Sequence, residues 1–379
     1  MSNTFTNLIS DVYAATDVVS RELVGFIPAV ARSSGAERCQ LNANAIRSGV
    51  VPVNAAAGDV TPAMAIPAAA DQTIANTALQ ITKSRFAPFS WSGEDQVGIN
   101  SGAGYLTTRQ NQIAQALRAL TNEVEADLAS TARKAASRAY GTAGTTPFAT
   151  NLAESAQVNK ILLDNGAPLS DKHLILNTTA GASLRTLLNN PLTANAALGN
   201  NVTQQGVLID VNGFAHRESA QLGTVTKGTG TSYVLNGAHA VGATSIVLKT
   251  GSGTVLAGDV LTIGNHKYVV KTGIAAAGTA VINAPGLLAA GADGATVTIG
   301  NDFTPSVAFT RNAIQLATRL PALPEEGDMA IMRETIVDPR SGLVFELAVY
   351  PGYRMVTYQL MLAWGQLAVK PEHIALLLG

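Results

Sequence analysis

The chain has 379 residues, 47% of them hydrophobic and 13% charged, with a formal net charge of −1, where a typical globular domain carries about 25% charged residues. This balance excludes a global basic field that would pull the molecule onto nucleic acid, and it leaves few charges to solvate the outside, so much of the surface is expected to lie against other subunits. The single cysteine, Cys39, excludes an internal disulfide framework and fits folding in a reducing cytoplasm.

The length fits one elaborated domain or two. Met1 to Val30 lacks a basic leader and carries Asp11 and Asp17 ahead of any long apolar run, so it does not read as a signal peptide. Leu8, Val12, Val19 and Leu23 fall broadly on one helical face over 4–24, ending near Gly25 and Pro28; this predicts an amphipathic N-terminal arm. From Cys39 to Trp91, short β-prone pieces (Gly49–Val53 and Leu79–Ile81) flank an Ala/Pro/Gly-rich stretch, Ala55–Ala70, that contains Pro62 and Pro67. It has neither helical nor strand period, which predicts an extended loop or hairpin leaving the body of the subunit.

A long helix is predicted from Tyr105 to Tyr140. Ile113, Leu117, Leu120, Val124 and Leu128 recur at helical steps, Ala132 and Ala135 continue the stripe, Gly102 and Gly104 precede it, and Gly141 is placed to end it. At 1.5 Å per residue it would be about 50 Å long, a spine for a flat subunit. Its charges alternate in blocks: Arg109 and Arg118, then Glu123, Glu125 and Asp127, then Arg133, Lys134 and Arg138. They are read as a solvated face held by local pairs in preference to a partner-contacting strip.

A second helix (Leu152–Asn165) leads through Gly166 and Pro168 to a buried strand, His173–Leu176. A short helix follows at Ala182–Leu188, then a strand with an Asn-Gly turn signal in Gly206–Phe214. The 81 residues from Leu222 to Asp302 hold 15 of the 35 glycines, and no arginine occurs between Arg217 and Arg311. Within them Ser245–Leu248, Asp259–Ile263, Lys267–Lys271, Thr279–Ile282 and Ala295–Ile299 are β-branched runs separated by Gly or Asn turns, which predicts an inserted β-barrel or sandwich. Beyond Phe303, Met329–Val337 and Leu343–Val349 flank the turn Asp338–Gly342, and Tyr353–Val369 is largely apolar. Its most apolar part, Met355–Val369, is shorter than the roughly 20 residues that span a bilayer.

Chemistry-bearing constellations are scarce. The five histidines (His173, His216, His239, His266, His373) are dispersed, and no phosphate-cradling motif occurs. Gly228-Thr-Gly230 and Gly251-Ser-Gly253 read as turns. Glu325-Glu326-Gly-Asp328 offers carboxylates to a divalent cation but reads as a solvated acidic loop, and Cys39 reads as an inert packed thiol. Asn177-Thr-Thr179 and Asn201-Val-Thr203 match the glycosylation pattern but have no secretory route. No catalytic, cofactor-binding or metal-ligating residue is assigned, and no enzyme is expected.

In order, an arm, an extended loop, a long helix and an α/β region interrupted by a barrel resemble the tailed-phage major capsid fold (the Hong Kong 97-type fold). The barrel narrows the resemblance to the P-twenty-two-like coat proteins. Three stretches carry it: Gly206-Val-Leu-Ile-Asp-Val-Asn-Gly-Phe-Ala-His-Arg-Glu-Ser219, Phe309-Thr-Arg-Asn-Ala-Ile-Gln-Leu-Ala-Thr-Arg-Leu-Pro321, and Leu362-Ala-Trp-Gly-Gln-Leu-Ala-Val-Lys-Pro-Glu-His-Ile374. The resemblance implies an α+β chain with an N-terminal arm (1–40), an extended-loop region (41–100) and a peripheral domain with the spine helix (101–149). An axial domain (150–221 and 303–330) would be interrupted by the inserted β-barrel domain (222–302), and 331–379 would return to the peripheral domain and the C-terminus.

It also implies a coat protein, made in the host cytoplasm, that forms the hexamers and pentamers of a virion shell around double-stranded DNA held non-specifically. A scaffolding protein and a portal would be partners, with room for a decoration protein and no membrane. Some capsids of this fold cross-link a loop Lys to a neighbour's Asn. Here the loop offers only Lys83, and residues 313–379 contain no Asn, so no such cross-link is expected. Two further classes compete: a β-rich tail or surface binding module, which should show a signal or repeats, and an α/β enzyme, which lacks its catalytic groups.

Overall fold

The computed structural model describes residues 22–33, 36, 39–43, 45–49, 62, 76–100, 105–188, 208 and 210–379. The predicted arm helix over 4–24 therefore lies outside the described residues except at its end, and the Ala55–Ala70 stretch except at Pro62.

The spine helix is present but shorter than predicted. α1 (Gly93–Asn100) precedes α2 (Tyr105–Ala135), a helix of 31 residues, about 46 Å long at 1.5 Å per residue. The stripe read from the sequence is the buried one: Ile113, Leu117, Leu120, Val124, Leu128 and Ala132 are all within the core. Tertiary partners end the helix before Gly141. The buried Asn283 amide donates to the carbonyls of Lys134 and Ala136, each at 2.8 Å, satisfying orphaned C-terminal acceptors. Ser137 N then bonds Ile374 O at 2.9 Å, and β5 (Arg138–Gly141) becomes a sheet strand.

A six-stranded sheet lies against one side of α2. Its strands are β1 (Ala31–Arg32), β4 (Lys83–Ser92), β15 (Ile314–Arg319), β16 (Met332–Val337), β17 (Val344–Gly352) and β18 (Met355–Ala368). β18 organises it. β4 pairs along one edge over Met355–Trp364; the other edge takes β17 first and β15 afterwards. Residues 83–92, assigned by resemblance to the extended loop, are thus a sheet strand; Pro88 sits where a proline is tolerated, on an edge. A separate two-stranded hairpin pairs β2 (Ala45–Gly49) with β3 (Asn76–Gln80).

The opposite side of α2 packs on a mixed sheet in the order β5, β19 (Ile374–Leu378), β14 (Pro305–Thr310), β6 (Lys172–Leu176) and β7 (Ala215–Glu218). Every residue of β6, β14 and β19 is buried, as expected of strands covered on both faces. Alternation divides them between two cores. Ile175, Val307, Phe309 and Leu376 face α2. Leu174, Leu176, Ala308 and Leu377 face α3 (Ala153–Asp164) and α4 (Thr178–Leu188). At the Asn-Gly signal, Asn212 and Gly213 have φ of 52° and 79°, the paired positive φ of a type I′ turn.

The predicted antiparallel barrel is present. β8 (Tyr233–Leu235), β9 (Ser245–Lys249), β12 (Gly278–Ile282), β11 (His266–Thr272), β10 (Val260–Ile263) and β13 (Thr296–Ile299) pair in that order, and β13 closes on β8. Its interior is filled by alternate residues, among them Tyr233, Ile246, Leu248, Tyr268, Val270 and Ile282. β8 is the strand that the sequence did not show: three residues in a Thr-rich turn give no measurable period. The barrel joins the mixed sheet where Tyr268 pairs with Arg138.

Candidate assembly surfaces

The charged residues of α2 do not form the locally paired solvated face expected from the sequence. They clamp other elements to the spine. Lys83 Nζ on β4 donates to Glu123 Oε1 at 3.1 Å and Asp127 Oδ1 at 2.9 Å, and Arg85 Nε reaches Glu123 at 3.2 Å. Trp364 Nε1 donates to Asp127 at 2.9 Å and Trp91 Nε1 to Gln112 at 2.7 Å. Burial works against the Lys83 charge, yet Asp127 and Glu123 hold its ammonium above the ordinary lysine range. Since α2 runs along the sheet, its polar flanks meet β4 and β18 before they meet water.

The other flank holds a strap, residues 22–28, that passes between α2 and the mixed sheet. Glu22 is gripped by the Arg118 guanidinium and by Asn122 Nδ2 at 2.7 Å; these contacts, Arg118 first, pull its carboxyl down to about 2. Glu125 is fully buried. It accepts the backbone N–H groups of Gly25 at 2.6 Å, Phe26 at 2.8 Å and Ile27 at 3.0 Å. Burial pushes its carboxyl up despite those donors and the Ser219 hydroxyl. Beyond it, Arg311 Nη1 donates to Pro28 O at 3.2 Å. The sequence marked only Gly25 and Pro28; a carboxylate one hundred residues away has no local signature.

Two exposed surfaces suit a neighbouring subunit. The first is the sheet face turned away from α2. At one end the root of the β2–β3 hairpin covers it: Leu79 and Ile81 pack with Cys39, Ala317 and Ala363. A Cβ on Gly365 would lie 1.8 Å from Gln80 O, so only glycine admits the crossing chain. Further along the face Phe86 is 58% exposed, and Val337 and Val344, opposite one another in register, are exposed as well. The second surface is the β17–β18 turn with α1, joined by Gly93 N to Arg354 O at 3.2 Å. There Tyr353 is 92% and Val97 70% exposed. Large apolar groups left in water at adjoining positions mark contact surfaces.

The histidines stay apart. His173 lies beside Asp171 and Arg311, His216 beside Phe214, His239 in a barrel loop, His266 against Tyr268, and His373 in the turn before β19. Among the described residues no group of three or more His, Cys, Asp or Glu is placed to hold a metal, and no helix is long and apolar enough to cross a membrane. In the acidic loop, Asp328 is engaged by Arg333 and, at 2.9 Å, by the Tyr350 hydroxyl, while Glu325 and Glu326 are exposed.

No family model and no curated protein sequence matches the chain. Solved structures do. A chain from Mycobacterium phage Che8 aligns over 95% of this chain and 92% of its own, with 13% identity and a TM-score of 0.54. A chain of the cyanophage P-SCSP1u capsid covers 95% and 89% at 11% identity and 0.51. One from the mature capsid of bacteriophage PhiM1 covers 95% and 88% at 11% identity and 0.50. At these identities the likeness establishes the fold, which is that of phage capsid chains.

Proposed function

We propose that this chain is the major capsid protein of a tailed phage, self-assembling into the icosahedral head shell around double-stranded DNA. The observation that carries the reading is the capsid-type fold over 95% of the chain. The uncovered apolar groups of the six-stranded sheet and the β17–β18 turn support it, because a monomer gains nothing from keeping Tyr353 and Val97 in water. The finer assignment is the Hong Kong 97-type fold with P-twenty-two-like kinship. It rests on the spine helix, the β2–β3 hairpin and the closed barrel occurring in one chain.

In this reading the work is assembly rather than catalysis. Each contact need be only moderate, since every subunit makes several and closure adds them. Hexamers and pentamers would form on a scaffolding protein, with a portal at one vertex. A covalent cross-link is not proposed: Lys83 is occupied by Glu123 and Asp127, with Trp364 beneath it at 5.8 Å. The test is velocity sedimentation of the purified full chain with and without a scaffolding protein. A fast particle boundary is expected; a boundary at monomer mass under both conditions would refute the reading.

A further inference from the structure

Between the barrel and α3 lies an open cleft of about 620 Å³, within the range of roughly 300–1,000 Å³ typical of binding pockets. The contacts described above leave its groups unused. α3 contributes Glu154, Lys160 and Asp164, β5 contributes Arg138, and the start of β11 contributes His266 and Lys267. Two buried polar atoms of this lining have no partner, Arg138 Nε and Glu154 Oε2, a state that proteins seldom tolerate without something to donate and accept there. Asp164 lies 3.9 Å from Arg138 and offsets it. Lys267 donates only to the neutral Gly141 carbonyl, and the exposed Lys160 has no partner among the described residues. With Glu154 and Asp164 set against Arg138, Lys160 and Lys267, the cleft keeps one net positive charge, and Lys160 is its exposed ammonium group.

The chain also carries a segment of matching chemistry. The loop between β15 and β16 is exposed from Ala322 to Met329 and includes Glu325 and Glu326, neither with a partner among the described residues. Pro321 and Pro324 restrict its backbone, which lowers the ordering cost of docking. Asp328 is tied back by Arg333 and Tyr350, which leaves the two glutamates to project. Leu323 and Met329, 50% and 79% exposed, flank them.

We infer that the Glu325–Glu326 loop of one subunit docks in the cleft between barrel and α3 of a second copy, an inference that rests on the shell reading. Loop and cleft are different patches, so the contact is head-to-tail, and such contacts form rings when the rotation between copies closes. The barrel would then form one wall of a joint between subunits. The test uses full-length wild type, Lys160→Glu, Glu326→Lys and the double exchange, each checked for unchanged circular dichroism and followed by light scattering during assembly. Neither side chain holds the fold, so all four should fold alike. Each single variant should slow assembly at least about tenfold, as expected when complementary charges steer docking, and the double exchange should restore it. A double variant no faster than the singles overturns the inference. So does Glu326→Lys assembling normally while Lys160→Glu fails, which would assign the cleft to another acidic partner. Wild type that never assembles refutes the shell reading itself, a separate result.

Discussion

Glu125 shows how one side chain joins parts of the chain that share no sequence signal. Three backbone N–H groups of the strap end on its buried carboxylate. Glu125→Ala would leave them without an acceptor, and a buried donor left unpaired costs about 1–3 kcal/mol. The variant should lose at least about 3 kcal/mol of stability in urea unfolding; a loss below about 1 kcal/mol would mean that water replaces the carboxylate. The two strap carboxylates respond oppositely to acid. The Glu22 pKa is pulled below its unfolded value, so its contribution is complete above about 4.5 and is lost as pH falls toward about 2. The Glu125 pKa is raised, so its contribution is complete below the unfolded value and declines as pH rises through the folded one. Acidification from neutrality to about pH 4.5 should therefore leave the strap in place, with loss only below that. Hydrogen exchange at Gly25 to Ile27, corrected for intrinsic rates, would show it, and Glu22→Gln should remove the acid-side loss.

Among the elements, those with a local cause could be read in the sequence. The α2 stripe recurs every turn, and five of six barrel strands are β-branched runs set off by Gly turns. Elements decided by distant partners could not. The end of α2 is fixed by Asn283 and Ile374, and β4 counts as a strand only because β18 lies beside it. The charges of α2 do not disclose their partners, because a helix that will be clamped and one that will be solvated have the same spacing. The low charge pointed to apolar groups at the surface but not to their positions on the sheet face and the β17–β18 turn. The hairpin root offers an element-scale test. Gly365→Val would place side-chain carbon against the Gln80 carbonyl, and a backbone obstacle cannot rotate away. The Thr82 amide, bonded to Trp364 O at 3.1 Å, should then exchange at least about tenfold faster while the barrel amides are unchanged. Unchanged exchange at Thr82 would show that the crossing can shift.

The whole molecule is one spine with two sheets and a barrel fastened to it, and the parts differ in what they leave exposed. The mixed sheet is closed on both faces and supplies a body. The six-stranded sheet is closed on the α2 side, and its other face, beyond the end that the hairpin root covers, keeps apolar side chains in water with the β17–β18 turn and α1. With 13% charged residues, the chain has little with which to remain monodisperse in that state, and a surrounding shell removes the difficulty. The most direct measurement is electron microscopy of the full chain expressed alone and with the scaffolding protein that the proposed function calls for. Closed shells, or the open polyheads of misdirected assembly, are expected. Uniform monomers at concentrations where capsid proteins assemble would contradict the proposed function, whatever the likeness of the fold.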